Sequence, residues 1–142
     1  MKATFVFVPL WFQNLIMLFS LALVLAFFVY SIKKQKPRFC WISLVWLFLI
    51  FAFFNSRFWG FSSITIYPER VKLNYGILSI KKNKTLSYPV SCSITKEISK
   101  IPFKETFYLV IDTSKSMGVT SSKLKQLKQI CSLIKSYQSN LQ

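Results

Sequence analysis

Two long stretches without a charged residue dominate the first part of the chain. One runs from Ala3 to Ile32, between Lys2 and Lys33; the other runs from Phe39 to Ser56 and is closed by Arg57. About 20 apolar residues cross a hydrocarbon core of roughly 30 Å. The first stretch predicts a membrane span over residues 11–32, with Trp11 and Tyr30 at the two interfaces, where amphipathic rings prefer to sit. Pro9, Gln13 and Asn14 leave its start open. A cleaved signal peptide is the other reading. Its apolar core would be about 7–15 residues long and end in small residues, whereas Lys33-Lys34 follows directly here. The second stretch predicts a span over residues 39–56, flanked by Trp41 and Trp59. At 1.5 Å per residue it reaches about 27 Å. A buried core helix would have the same composition, yet too little polar chain remains to cover Phe48, Phe51, Phe53 and Phe54 on every side.

The connector over residues 33–38 is Lys33-Lys34-Gln35-Lys36-Pro37-Arg38, six residues with four positive charges. So short a link forces an antiparallel helical hairpin. Short basic loops favour the cytoplasmic face, which puts both termini outside. Lys2, Arg57, Arg70 and Lys72 pull the other way.

From Ser62 onward the apolar period changes to two, the signature of half-buried strands. Ile64 and Ile66 share a face; Val71, Leu73 and Tyr75 follow after a Pro68-Glu69 turn. Gly76 breaks the run, and Leu78 with Ile80 predicts another strand before a Lys82-Asn83-Lys84 turn. Leu86 with Tyr88, then Cys92 with Ile94, predict two more. Phe107 to Ile111 is apolar on both faces, as in a covered strand. Ser114-Lys115 reads as a turn from which Met117 to Thr120 pairs back. In the last segment Leu124, Leu127, Ile130, Cys131, Ile134 and Tyr137 recur at three- and four-residue spacing. They predict an amphipathic helix over about 121–137 whose stripe closes a sheet, with Thr120, Ser121 or Ser122 as its cap. The predicted fold class is α+β. A two-helix transmembrane hairpin (1–61) precedes a small antiparallel sheet or half-barrel closed by a C-terminal amphipathic helix (62–142).

This order of elements resembles the bacterial two-span membrane proteins with a C-terminal pleckstrin-homology-like (PH-like) domain. The residues that carry the resemblance are the opening strand–turn–strand Ile64-Thr65-Ile66-Tyr67-Pro68-Glu69-Arg70-Val71, Tyr88-Pro89-Val90, and Phe107-Tyr108-Leu109-Val110-Ile111 before the closing helix. The resemblance implies a binding or scaffolding module rather than a catalyst. It also implies a cytoplasmic domain in the plasma (inner) membrane, against the charge of the loop.

Composition sharpens this picture. The chain of 142 residues is 53% hydrophobic and 16% charged, against about 25% charged in an average soluble domain. Lys and Arg number 19 against 4 acids, for a net charge of +15. There is no histidine, so no Ser-His or Cys-His pair is available, and Glu69, Glu97, Glu105 and Asp112 show no catalytic spacing. The chain is therefore expected not to be an enzyme and to need no cofactor. Asp112, Ser114 and Ser116 resemble the D-x-S-x-S metal loop of von Willebrand factor A domains. In that fold a long series of strands and helices follows the loop, whereas 24 residues follow Gly118 here. A polar turn accounts for the same residues, and no metal is expected. Cys40, Cys92 and Cys131 lack zinc spacing; Cys92 and Cys131 are either two buried thiols or, if the domain is outside, a disulfide.

The candidate contact residues are lysines: Lys81, Lys82 and Lys84 in one turn, and Lys96, Lys100 and Lys104 in or beside the next long loop. Near a bilayer each draws anionic headgroups by about 1 kcal/mol; a merely solvated lysine-rich surface is the plain alternative. The expected partners are the lipid bilayer and an anionic lipid or another membrane protein. Nucleic acid is not expected, since no binding motif occurs. A small accessory subunit, held in a larger complex through its spans, is the alternative function.

Overall fold

The computed structural model describes residues 2–56, 58–79, 84–100 and 103–141. The chain begins with a strand, β1 (Ala3–Val6), ahead of helices α1 (Leu10–Lys33) and α2 (Pro37–Phe54). Pro9 separates strand from helix, and Pro37 opens α2 at its first turn, where the missing N–H costs nothing. At 1.5 Å per residue α1 is about 36 Å long and α2 about 27 Å. The turn between them closes through Lys36 N donating to Ser31 O at 3.1 Å. Both helices are long and apolar enough to cross a membrane. Only 11% of each apolar window is buried within the molecule, so neither is the core helix that composition alone left open. The helix hydroxyls are satisfied internally: Ser20, Ser31 and Ser43 each donate to the carbonyl four residues back. That is the arrangement an apolar solvent requires of a polar group.

The rest of the chain forms two antiparallel sheets and a helix. The first sheet has the order β1-β2-β3-β4, with β2 (Ser63–Ile66), β3 (Arg70–Asn74) and β4 (Lys84–Ser87). The second has the order β5-β6-β7, with β5 (Cys92–Lys100), β6 (Phe103–Ile111) and β7 (Ser114–Lys115). A parallel bridge between Phe61 and Ser116 links the sheets. After a 3-10 turn over Ser121–Lys123, helix α3 (Leu124–Leu141) covers the core. Leu127, Ile130 and Ile134 are fully buried, so the predicted stripe is the core face. It packs with Phe61, Ile64, Ile66, Val71, Leu73, Leu109 and Ile111. Cys131 on α3 and Cys92 on β5 form a disulfide.

Four expectations are corrected. Residues 3–6 belong to a sheet and not to the hairpin unit drawn as 1–61: Ala3 to Val6 pair with Ile66 to Ser63. Phe5 packs on the core and Phe7 is buried, which is where their apolar character is used. The strand expected at Leu78 and Ile80 is replaced at residues 77–78 by a turn, and Ile80 lies outside the described residues. Gly76, at φ +104°, swings the chain off the sheet. Asn14 Oδ1 then accepts from Ile77 N at 2.9 Å, and Asn55 Nδ2 donates to Leu78 O at 3.3 Å, so both helices hold this loop. The turn expected at Ser114-Lys115 is strand β7; the reversal occurs one step earlier, at Asp112 with φ +52°. Finally, α3 starts and ends later than 121–137, and Thr120 Oγ1 bonds Ser122 Oγ at 2.8 Å rather than capping a backbone N–H.

Candidate functional site

Lys96, Lys100 and Lys104 do not lie in a loop. They stand on the two strands of a long hairpin whose register runs from Cys92–Ile111 to Lys100–Phe103. The polar outer half stays extended because its cross-strand neighbours are complementary: Lys96 pairs with Glu105 at 2.6 Å across the ladder. Lys96, Ile98 and Lys100 share a face with Glu105 and Phe103, which continues the core face of Ile94 and Leu109 beyond the core. There Ile98 is 60% and Phe103 90% exposed, with Lys100 and Lys104 beside them. The hairpin end thus presents two apolar side chains with Lys100 and the Lys96–Glu105 pair on the same face, and Lys104 on the other face.

Lys81 and Lys82 lie outside the described residues. Lys84 begins β4, and its Nζ donates to Ser114 Oγ at 3.0 Å. Ser114 is buried and also hydrogen-bonds Tyr75, whose hydroxyl pKa is raised by burial and only partly lowered by that bond. Lys115, the next residue, projects from the opposite face of β7. Its ammonium pairs with Glu97 and lies 3.7 Å from the centre of the Tyr108 ring. Lys84 and Lys115 nevertheless line one cavity of about 250 Å³, together with Ser56 and Trp59 from the end of α2, Tyr75, Val110, Thr113 and Ser114. Trp59 is fixed by Nε1 donating to Tyr75 O at 3.2 Å and by its ring 4.7 Å from Phe54. Beyond Trp59 an apolar groove of about 610 Å³ runs between α1 and α2.

Sequence reasoning found Lys84 but missed Lys115, Ser56 and Trp59 as its companions. Their only local signal is the aromatic Phe58-Trp59 pair at the end of an apolar run. The three oxygens of the metal-like loop have separate duties. Asp112 Oδ1 accepts from Ser91 N at 2.7 Å and from Ser91 Oγ at 3.0 Å. Ser114 holds Lys84, and Ser116 Oγ accepts from Leu109 N at 2.9 Å. These bonds build the β6–β7 turn and tie it to its neighbours.

The Glu97 carboxyl is held below its ordinary value, chiefly by the hydrogen bond from Lys115, against a smaller opposing effect of desolvation. A depressed carboxyl pKa contributes stability above the unfolded value, near 4.5, and loses it as pH falls through the folded value. Urea midpoints of the full chain in detergent, taken from neutral pH downward, should therefore fall more steeply for the parent than for Glu97→Gln in the acid range. Parallel curves would remove Glu97 from this role.

No protein-family model, curated protein or solved structure matches the chain.

Proposed function

We propose that this chain is an integral membrane protein whose helical hairpin spans the bilayer and whose two-sheet domain is a non-catalytic, PH-like interaction module at the membrane surface. The carrying observation is the pair of apolar helices, exposed along nearly their whole length and bearing internally bonded serines. An aqueous solvent would leave some twenty large apolar side chains exposed on them, far beyond the few hundred Å² of apolar patch a soluble monomer tolerates. The arrangement of four strands, then three, then a closing helix supports the PH-like reading.

The module engages anionic lipid in preference to a protein partner. Phe103 and Ile98 beside Lys100 on one face, with Lys104 at the same end of the hairpin, have the composition of an interfacial anchor, which buries rings at the headgroup level and pairs cations with anionic lipid. The domain faces the oxidising side of the plasma membrane. The disulfide between Cys92 and Cys131 supports this, since such bonds persist outside the cytosol. The four cations in the connector at the other end of the hairpin support it too.

Membranes from cells making the full chain, washed with alkaline carbonate, are expected to retain it; release into the wash would overturn the membrane reading. A reporter fused after Gln142 is expected to be active only outside the cytosol. In flotation with the full chain reconstituted at low density, Phe103→Ser with Lys100→Gln should weaken bridging to added anionic vesicles and leave neutral ones unaffected. Unchanged bridging would remove the hairpin from the interface.

A further inference from the structure

We propose that the outer face of α3 is a docking strip for a linear phosphate polymer. Only the direction of the helix relative to the bilayer rests on the membrane reading above.

Lys125, Lys128 and Lys135 are exposed. At 3.6 residues per turn they fall with Ser132 and Ser139 on one side of α3, opposite the buried Leu127, Ile130 and Ile134. From Lys125 to Lys135 the strip is about 15 Å long at 1.5 Å per residue. The two serines are small and leave the track between the lysines open. No carboxylate neutralises it. The last acid of the chain is Asp112, and its Oδ1 serves Ser91. The ion pairs among the described residues, Lys96 with Glu105 and Lys115 with Glu97, belong to the second sheet. The lysines also stand where the helix by itself disfavours them. Lys125 is in the first turn, against the helix dipole, and Lys128 follows at the three-residue spacing that sets like charges side by side. The uncompensated charge matches an anion from outside the molecule.

The direction of the helix removes the bilayer as that anion. Val6 closes β1 just ahead of α1, so this end of the first sheet adjoins the hairpin; Arg70 and Ser87 pair at the opposite end. α3 begins at the near end, where Lys123 Nζ donates to Phe7 O at 2.9 Å. It reaches the far end, where Gln138 Nε2 donates to Val90 O at 2.6 Å. The strip therefore climbs away from the membrane, and headgroups meet only its first lysine. Composition selects among other anions. Protein interfaces concentrate aromatic residues and arginine and are poor in lysine, whereas this face is built of lysine, glutamine and serine. Single-stranded nucleic acid stacks its bases on aromatic rings, and none stands on the strip. Planar carboxylates suit the arginine fork, and α3 has no arginine. Lysine meets phosphate as a point charge that needs no fixed direction.

The test uses the full chain in nanodiscs of phosphatidylcholine and the anisotropy of a labelled polyphosphate over a salt series. Affinity should fall as salt rises. Lys125→Gln with Lys128→Gln and Lys135→Gln should weaken binding by about tenfold or more and lower the log–log salt slope by about 2, from roughly 0.7 for each phosphate neutralised. Gln forms helix about as well as Lys, so this variant keeps α3. Lys33→Gln with Lys34→Gln and Lys36→Gln, an equal loss of charge in the connector, should leave both values unchanged. Equal effects of the two triple variants would reduce the binding to net charge and overturn the strip. Polyglutamate bound as tightly as polyphosphate would overturn the choice of phosphate, and tighter binding of an oligonucleotide would put a nucleic acid in its place. A chain that carbonate releases from membranes fails the earlier reading; a chain that stays there and ignores polyphosphate fails only this one.

Discussion

Phe61→Ala is expected to lower the stability of the domain by about 3–5 kcal/mol, the range for removing a buried phenylalanine from a close-packed core. Phe61 is fully buried, with its ring 5.8 Å from Phe7 and 6.0 Å from Tyr75. Its backbone is the hinge between the sheets: Phe61 N donates to Lys115 O at 3.2 Å, and Phe61 O accepts from Met117 N at 3.0 Å. A cavity there would loosen β1, the first sheet and β7 together, because each rests on the same ring or the same peptide. Beside it, Gly60 cannot be enlarged, since a Cβ would run into the backbone of Ser116 and Met117. The measurement is a denaturant titration of the full chain in detergent, followed by tryptophan emission. A loss below about 1 kcal/mol, the ordinary effect of a surface change, would contradict the two-sheet core.

The disulfide supplies the second large effect. Cys92 and Cys131 are 39 residues apart, and closing a loop of that length limits the unfolded chain by about 4 kcal/mol on the chain-entropy view. Cys92→Ala with Cys131→Ala should therefore cost roughly 2–4 kcal/mol. Dithiothreitol should lower the unfolding midpoint of the parent chain and leave that of the double variant unchanged. A parent midpoint indifferent to reductant would show that the bond contributes nothing to stability and would remove one support for placing the domain on the oxidising side. Because β1 enters the sheet from before α1, these measurements need the whole chain; a fragment starting at Ser62 would leave the β2 edge unpaired and Phe61 and Phe7 absent.

Elements with a local cause were legible beforehand. The hairpin follows from two uncharged runs and a basic link, and α3 from a stripe repeating at helical spacing. The alternation at Ile64, Val71 and Leu109 marked strands whose buried faces hold in the structure. Elements defined by a distant partner were not legible. Ala3 to Val6 look like the beginning of the apolar run, and only pairing with residues 63–66 makes them a strand. Lys96 to Lys100 and Phe103 to Glu105 look like parts of a polar loop, because the cross-strand partners that hold them extended are not adjacent in the chain. Of the residues around the cavity at the end of α2 only Lys84 is marked by the sequence, since Ser114 and Trp59 reach it from other elements.

What the sequence determined by itself is therefore periodicity and composition: two long apolar helices, a β-rich unit, a closing amphipathic helix and an excess of cations. These depend on side chains a few residues apart. The tertiary structure alone decided that the N-terminus joins the C-terminal sheet, that Cys92 meets Cys131, and that Lys84 meets Ser114 while Lys115 meets Glu97. Each of these is a meeting of residues remote in the chain, set by sheet register and by packing around Phe61, and no local pattern encodes it.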